Sequence, residues 1–194
     1  ESLFGRDQLH ELIEMGRVSS PRLMEQVGSA DLPHALVLTV LKMLLAENVS
    51  IRNLKLIIEA LAQHAKKGSS ASELTEQVRC SLRRQISLDL CDDDGVIRVA
   101  TLDETLTSTL LRSMSPAGQL APEPSVLPNI ARSIENIFGD VAARRQQPGV
   151  VLVPDQLRRP LYGILGSQIP DVYFVAFQEY DPQFELQIVG TISA

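Results

Sequence analysis

The feature that most constrains this chain is a change of hydrophobic rhythm at Cys91-Asp92-Asp93-Asp94-Gly95. Before it, apolar residues recur at intervals of three and four, the period of helices with one buried face. Beyond it, short β-branched runs alternate with helical stretches, the pattern of strands joined by crossover helices. A helical period does not settle as a strand, nor the reverse. The sequence therefore predicts a mixed α and α/β fold, with an N-terminal all-helical subdomain over residues 1–90 and a small open α/β sheet subdomain over residues 91–194. A chain of 194 residues buries roughly 70% of its unfolded surface and needs neither metal nor disulfide support.

The first half reads as five helices. Leu9, Leu12 and Ile13 share a face in a helix expected to stop at Gly16. Ser20-Pro21 starts a short helix towards Gly28. Asp31-Leu32-Pro33 opens a third, whose stripe runs from Leu36 to Leu45 and which ends near Asn48. Ser50 is the expected cap of a fourth helix, with Leu54, Ile57, Ile58 and Leu61 inward and Arg52, Lys55 and Glu59 off that face. Ser70 and Glu73 form a capping box for the fifth, which carries Leu74, Val78, Leu82 and Ile86 at i+4 spacing. Arg79, Arg83 and Arg84 fall near its C-terminal end, where cations complement the helix dipole. Beyond the acidic turn the pattern predicts strands over 96–102, 150–153, 173–177 and 186–192. Helices are expected from Asp103, over 126–145 and over 155–166, and four prolines make residues 113–128 irregular.

Charge narrows the function. With 18 Lys+Arg against 24 Asp+Glu, a formal −6, the chain is repelled by nucleic-acid phosphates and anionic lipid. No apolar run reaches the ~20 residues of a membrane-spanning helix. The chain begins Glu1-Ser2-Leu3 with no initiator Met and no signal-peptide pattern, as expected of a fragment. Cys80 and Cys91 are too few for a disulfide framework and read as reduced thiols.

Candidate chemistry is sparse. Asp103 stands where a strand hands over to a helix, a position that suits a phosphoryl-accepting aspartate, but all four lysines lie in the helical half, where none can neutralise a phosphoryl group. A helix N-cap explains Asp103 better, and Asp155 reads the same way. His10, His34 and His64 lack metal-site spacing, and no Walker loop, GxGxxG or nucleophile elbow is present. No cofactor and no metal are expected. The helices at 33–47 and 51–66 have helix-turn-helix lengths, with Arg52, Asn53 and Lys55 in the first turn of a would-be recognition helix. Against a DNA reader stand the acidic total and Glu47 and Glu59 on the same hairpin.

Several segments, taken in order, resemble one family. Val49-Ser50-Ile51-Arg52-Asn53-Leu54, continuing to Glu59-Ala60-Leu61, is similar to a Val-Ser-Ile-Arg-Asp-Leu helix of the large export-gate proteins of type III secretion and flagellar export, the FHIPEP or FlhA/LcrD-like family. Leu74-Thr75-Glu76-Gln77-Val78-Arg79, the stretch from Val96 to Leu111, Val151-Leu152-Val153 with Leu157-Arg158, Ile169-Pro170 to Glu179, and Val189-Gly190-Thr191-Ile192 resemble later family segments in the right order. Asn53 replaces a usual Asp, and Val175-Ala176-Phe177-Gln178-Glu179-Tyr180 departs from Leu-Ser-Tyr-x-Glu-Ile, which points to an injectisome member more than a flagellar one.

The resemblance covers the last two cytoplasmic subdomains. The family's multi-spanning membrane domain and first, ferredoxin-like cytoplasmic subdomain have no counterpart in these residues. It implies a non-enzymatic part of a nine-membered homo-oligomeric ring on the cytoplasmic face of the bacterial inner membrane. Such a ring receives chaperone-substrate complexes, the gatekeeper and the stalk protein of the export ATPase, with no nucleic acid and no direct membrane contact by this part. Arg52, Lys55 and Glu59 are the implied ring contacts. Arg158, Arg159, Gln178 and Glu179 are the implied contacts to the stalk or a substrate complex. A ring seam of ~800 Å² per partner, rich in rim charge, can be weak in an isolated fragment.

Overall fold

The computed structural model describes residues 4–66, 68–143 and 148–193. The chain divides into two compact units, Glu1–Ile86 and Ser87–Ala194.

The first unit is helical: α1 (Arg6–Ser19), α2 (Pro21–Met24), α3 (His34–Ala46), α4 (Leu54–His64), α5 (Ala71–Ser81) and the start of α6 (Arg83–Leu90). Its core is the inward stripe of each: Leu9 and Ile13, then Val37, Val40, Leu41 and Leu44, then Ile57, Ile58 and Leu61, then Leu74, Val78 and Leu82. The Ser70–Glu73 capping box is formed in both directions, the Glu73 N–H donating to Ser70 Oγ over 3.2 Å. Helix α3 ends as Asn48 takes φ 56. That turn lets the Val49 N–H reach the Leu44 carbonyl at 2.9 Å and the Asn48 N–H reach that of Leu45 at 3.1 Å, closing carbonyls the helix leaves open.

Three local expectations are corrected here. Helix α1 runs through Gly16 to Ser19. Gly16 serves packing rather than termination, since a Cβ there would stand 2.9 Å from Met24 Sδ. Helix α4 is capped by Asn53, whose side chain accepts from the Leu56 N–H, while the Ser50 hydroxyl accepts from Arg52 N–H in the preceding loop. Arg52 and Asn53 thus precede the helix, which removes them from the first turn of a recognition helix. The expected fifth helix is two, α5 and α6; Arg83 and Arg84 open the second, and Arg79 keeps its place in the last turn of the first. Arg79 is buried there, its Nη1 2.8 Å from Glu47 Oε2, tying α5 to the end of α3.

The second unit is a four-stranded sheet of β1 (Val96–Leu102), β2 (Gly149–Val153), β3 (Val172–Ala176) and β4 (Glu185–Ile192), with α7 (Glu104–Arg112), α8 (Val126–Ala143) and α9 (Asp155–Leu165). The order is β3-β2-β1-β4 and every pairing is parallel. The mixed α and α/β class read from the sequence is therefore the observed one. Ala100, Val151, Val153, Phe174 and Ile192 of the sheet pack with Leu106, Leu110, Ile130, Ile134, Leu157 and Leu161 of the helices. The helix expected over 126–145 is α8, and residues 144 and 145 lie outside the described residues.

Asp103 is the cap of α7, its Oδ1 accepting from the Leu106 N–H at 2.6 Å. Asp155 is not a cap. Pro154 holds that position, and Asp155 Oδ1 instead accepts the Gln178 N–H at 3.4 Å. The acidic turn before β1 is organised by Asp92, whose Oδ1 accepts from Val96 N at 2.9 Å and Asp94 N at 3.1 Å, with Arg98 Nη1 at 3.1 Å from its other oxygen.

Candidate functional site

Helix α4 buries Leu54, Ile57, Ile58 and Leu61 and by its period turns Lys55 and Glu59 outward. Both are exposed, and Lys55 Nζ stands 3.9 Å from Glu59 Oε1. Such an exposed i,i+4 pair, in the weaker order with Lys ahead of Glu, adds at most a few tenths of a kcal/mol and leaves both charges reachable. Arg52 is exposed in the loop before the cap. The three expected ring residues thus share one stretch of surface, two on the helix and one at its mouth. On the same unit an open groove of about 400 Å³ lies between Pro33, Leu36 and Thr39 on one side and Lys66 and Ser69 on the other.

The four expected residues of the second unit separate. Arg159 and Gln178 are exposed. Arg158 and Glu179 are 0% and 1% exposed, which takes both off any surface. Arg158 Nε lies 3.5 Å from Glu179 Oε1, and Glu179 Oε2 accepts the Ala176 N–H at 3.1 Å. A buried carboxylate is tolerable when a cation and an N–H satisfy it, and this one joins α9 to the one-turn helix Phe177–Glu179 after β3. Asp155 holds the same turn through Gln178. These contacts brace a turn that displays Gln178 beside Phe177, an aromatic side chain left 53% exposed. Phe177 was missed in the sequence, although a large aromatic next to an expected contact residue was the available signal.

Charge is divided unequally. Ser87–Ala194 carries 14 Asp+Glu against 7 Arg and no Lys, a formal −7. Glu1–Ile86 carries 11 Lys+Arg against 10 Asp+Glu, a formal +1. The Val96 N–H holds the Asp92 carboxyl below its ordinary value; partial burial opposes this, and the Asp94 N–H and Arg98 reinforce it. Burial pushes the Tyr173 phenol up, and the charges of Asp89 and Asp171 add to that. Among the described residues no group of three or more His, Cys, Asp or Glu is placed to hold a metal ion, and no helix is long and apolar enough to cross a membrane. The arrangement presents exposed charge and one exposed aromatic on firmly braced elements, a surface suited to contact with other proteins.

Comparison with known proteins agrees in kind. The family model described as the FHIPEP family matches residues 1–185. The flagellar biosynthesis protein FlhA of Proteus mirabilis is 34% identical over 98% of this chain, which spans 27% of that relative's length. The structure of the Chlamydia pneumoniae CdsV and CdsO complex is similar with a TM-score of 0.87 and 28% identity, over 98% of this chain and 56% of the other. The nonameric cytosolic domain of EscV from a type III secretion system is similar with a TM-score of 0.81 and 25% identity, over 99% of this chain and 57% of the other.

Proposed function

The chain belongs to the FHIPEP family, and from that membership we propose that it is the docking part of the cytoplasmic ring of a type III protein export gate, binding partners and catalysing nothing. The observation that carries this reading is the likeness, along 99% of the chain, to a cytosolic domain solved as a nonamer. In the full protein this part lies on the cytoplasmic face of the bacterial inner membrane. The helical subdomain, residues 1–90, forms the ring seam, with Arg52, Lys55 and Glu59 meeting a neighbouring subunit. A head-to-tail ring contact pairs two different patches, so exposed charges of both signs on one stretch suit it.

The α/β subdomain, residues 91–194, meets the stalk protein of the export ATPase through Arg159, Gln178 and Phe177. The likeness of the whole chain to a protein solved in complex with a second protein supports a protein partner. Arg158 and Glu179 act in this subdomain as the brace of the Phe177–Glu179 turn. Chaperone-substrate complexes and the gatekeeper are further partners that the family resemblance supports.

The test of the ring reading uses the full-length gate protein carrying Arg52→Glu with Lys55→Glu. Chemical crosslinking in cells is expected to lose its oligomer ladder and secretion to fall, while the melting temperature of the purified 194-residue chain stays unchanged. An undiminished ladder would remove this face from the seam.

A further inference from the structure

The two edges of the sheet are finished differently. On β3, Val172, Phe174, Val175 and Ala176 are all buried, so its side chains are packed on both faces. Strand β4 closes the other side of the order and pairs with β1. Glu185, Gln187, Ile188, Val189 and Thr191 are exposed along it, Ile188 at 65% and Val189 at 41%. Proteins usually blunt such an edge with Lys, Pro or a bulge because its open backbone groups template further pairing; Glu-Leu-Gln-Ile-Val-Gly-Thr-Ile contains no Lys or Pro, and its bulge comes only at Val189, after a regular stretch from Glu185 to Ile188. A register shift opposite Val99 and Ala100 bulges the strand at Val189, so two consecutive apolar side chains stand in solvent.

The charge around the edge selects what can pair with it. At its N-terminal end the Glu185 N–H donates to the Gly95 carbonyl at 3.1 Å, which sets Glu185 beside the Asp92-Asp93-Asp94 turn. Arg98, the basic side chain on the adjoining strand, is engaged by Asp92 and by Gln187 Oε1 at 3.1 Å. The unit as a whole carries a formal −7. Like charge disfavours a second copy of this edge.

We propose that the outer edge of β4, from Glu185 to Val189, takes up an extended basic segment of a partner protein as a fifth strand, with alternate apolar side chains over Ile188 and Val189 and Lys or Arg over Glu185 and the Asp92–Asp94 turn. Backbone hydrogen bonds then give affinity, and the apolar pair and the acidic end give selectivity. The strand belongs to the second unit and α4 to the first, so the peptide test and the ring test use different residues.

The probe is a labelled peptide alternating Lys or Arg with Val or Ile, titrated into the 194-residue chain by fluorescence anisotropy and by amide NMR. The expected result is salt-sensitive binding, with the largest amide shifts between Glu185 and Thr191 and at least tenfold weaker binding by Ile188→Lys. A peptide N-methylated at alternate residues, unable to donate from one edge, is expected to bind at least tenfold more weakly. The proposal is overturned if the N-methylated peptide or Ile188→Lys leaves affinity unchanged. It is equally overturned if an Ala/Lys helical peptide of the same charge competes as well, if no binding is seen at millimolar peptide, or if sedimentation shows β4 already occupied by a second copy of the chain.

Discussion

Two side chains carry more structural consequence than their residue types suggest. Arg79 and Arg158 each lie on the apolar stripe of their helix, Arg79 in register with Leu82 and Ile86, Arg158 with Leu161 and Leu165. Each is neutralised by a carboxylate distant in sequence, Glu47 and Glu179. Removing one partner strands a buried charge, so Arg158→Ala or Glu179→Ala is expected to lower stability by about 3–5 kcal/mol, whereas Arg158→Met combined with Glu179→Leu restores most of it. Urea unfolding of the two single variants and the double variant measures the coupling. Asp92 gives a pH dependence of definite sign. Its carboxyl is held below its ordinary value in the folded chain, so its contribution is fully present above the unfolded value of ~3.9 and is lost as pH falls through the folded value. Asp92→Asn is expected to flatten that part of the acid limb in a pH series of thermal melts.

Among the elements, the helix caps are directly testable, two standing where the sequence puts them, at Ser70 and Asp103, and one shifted from Ser50 to Asn53. Asp103→Ala removes the acceptor for the Leu106 N–H and is expected to cost about 1 kcal/mol, while Asp103→Asn keeps a capping side chain and changes stability by a few tenths. A catalytic aspartate would lose its function in both variants alike. Helix α4 offers the matching comparison, since Asn53→Ala should destabilise more than Ser50→Ala in chemical denaturation. The sheet has a sharper constraint at Gly190, where a Cβ would stand 2.8 Å from Ile137 Cδ1 of α8. Gly190→Val overpacks that contact and is expected to cost about 1–3 kcal/mol. A crystal structure of the variant should show α8 displaced from β4.

At the scale of the whole molecule the uneven charge governs association. A formal −7 on Ser87–Ala194 steers basic partners by long-range attraction. The association rate of the Lys/Arg–Val/Ile peptide proposed for β4 is therefore expected to fall at least tenfold between 20 and about 300 mM salt in stopped-flow measurements, with a smaller change in dissociation. The sequence by itself determined the fold class, the order of the elements, the capping box at Ser70–Glu73, the Asp103 cap and the family, because periodicity, caps and turns act within a few residues. Only the tertiary structure decided which charges are surface and which are core. Whether Arg158 faces solvent depends on Glu179, 21 residues away and brought close by β3, and whether Ile188 is core or edge depends on β4 being the last strand of the sheet. Those are pairings between distant segments, and local patterns carry no record of the partner.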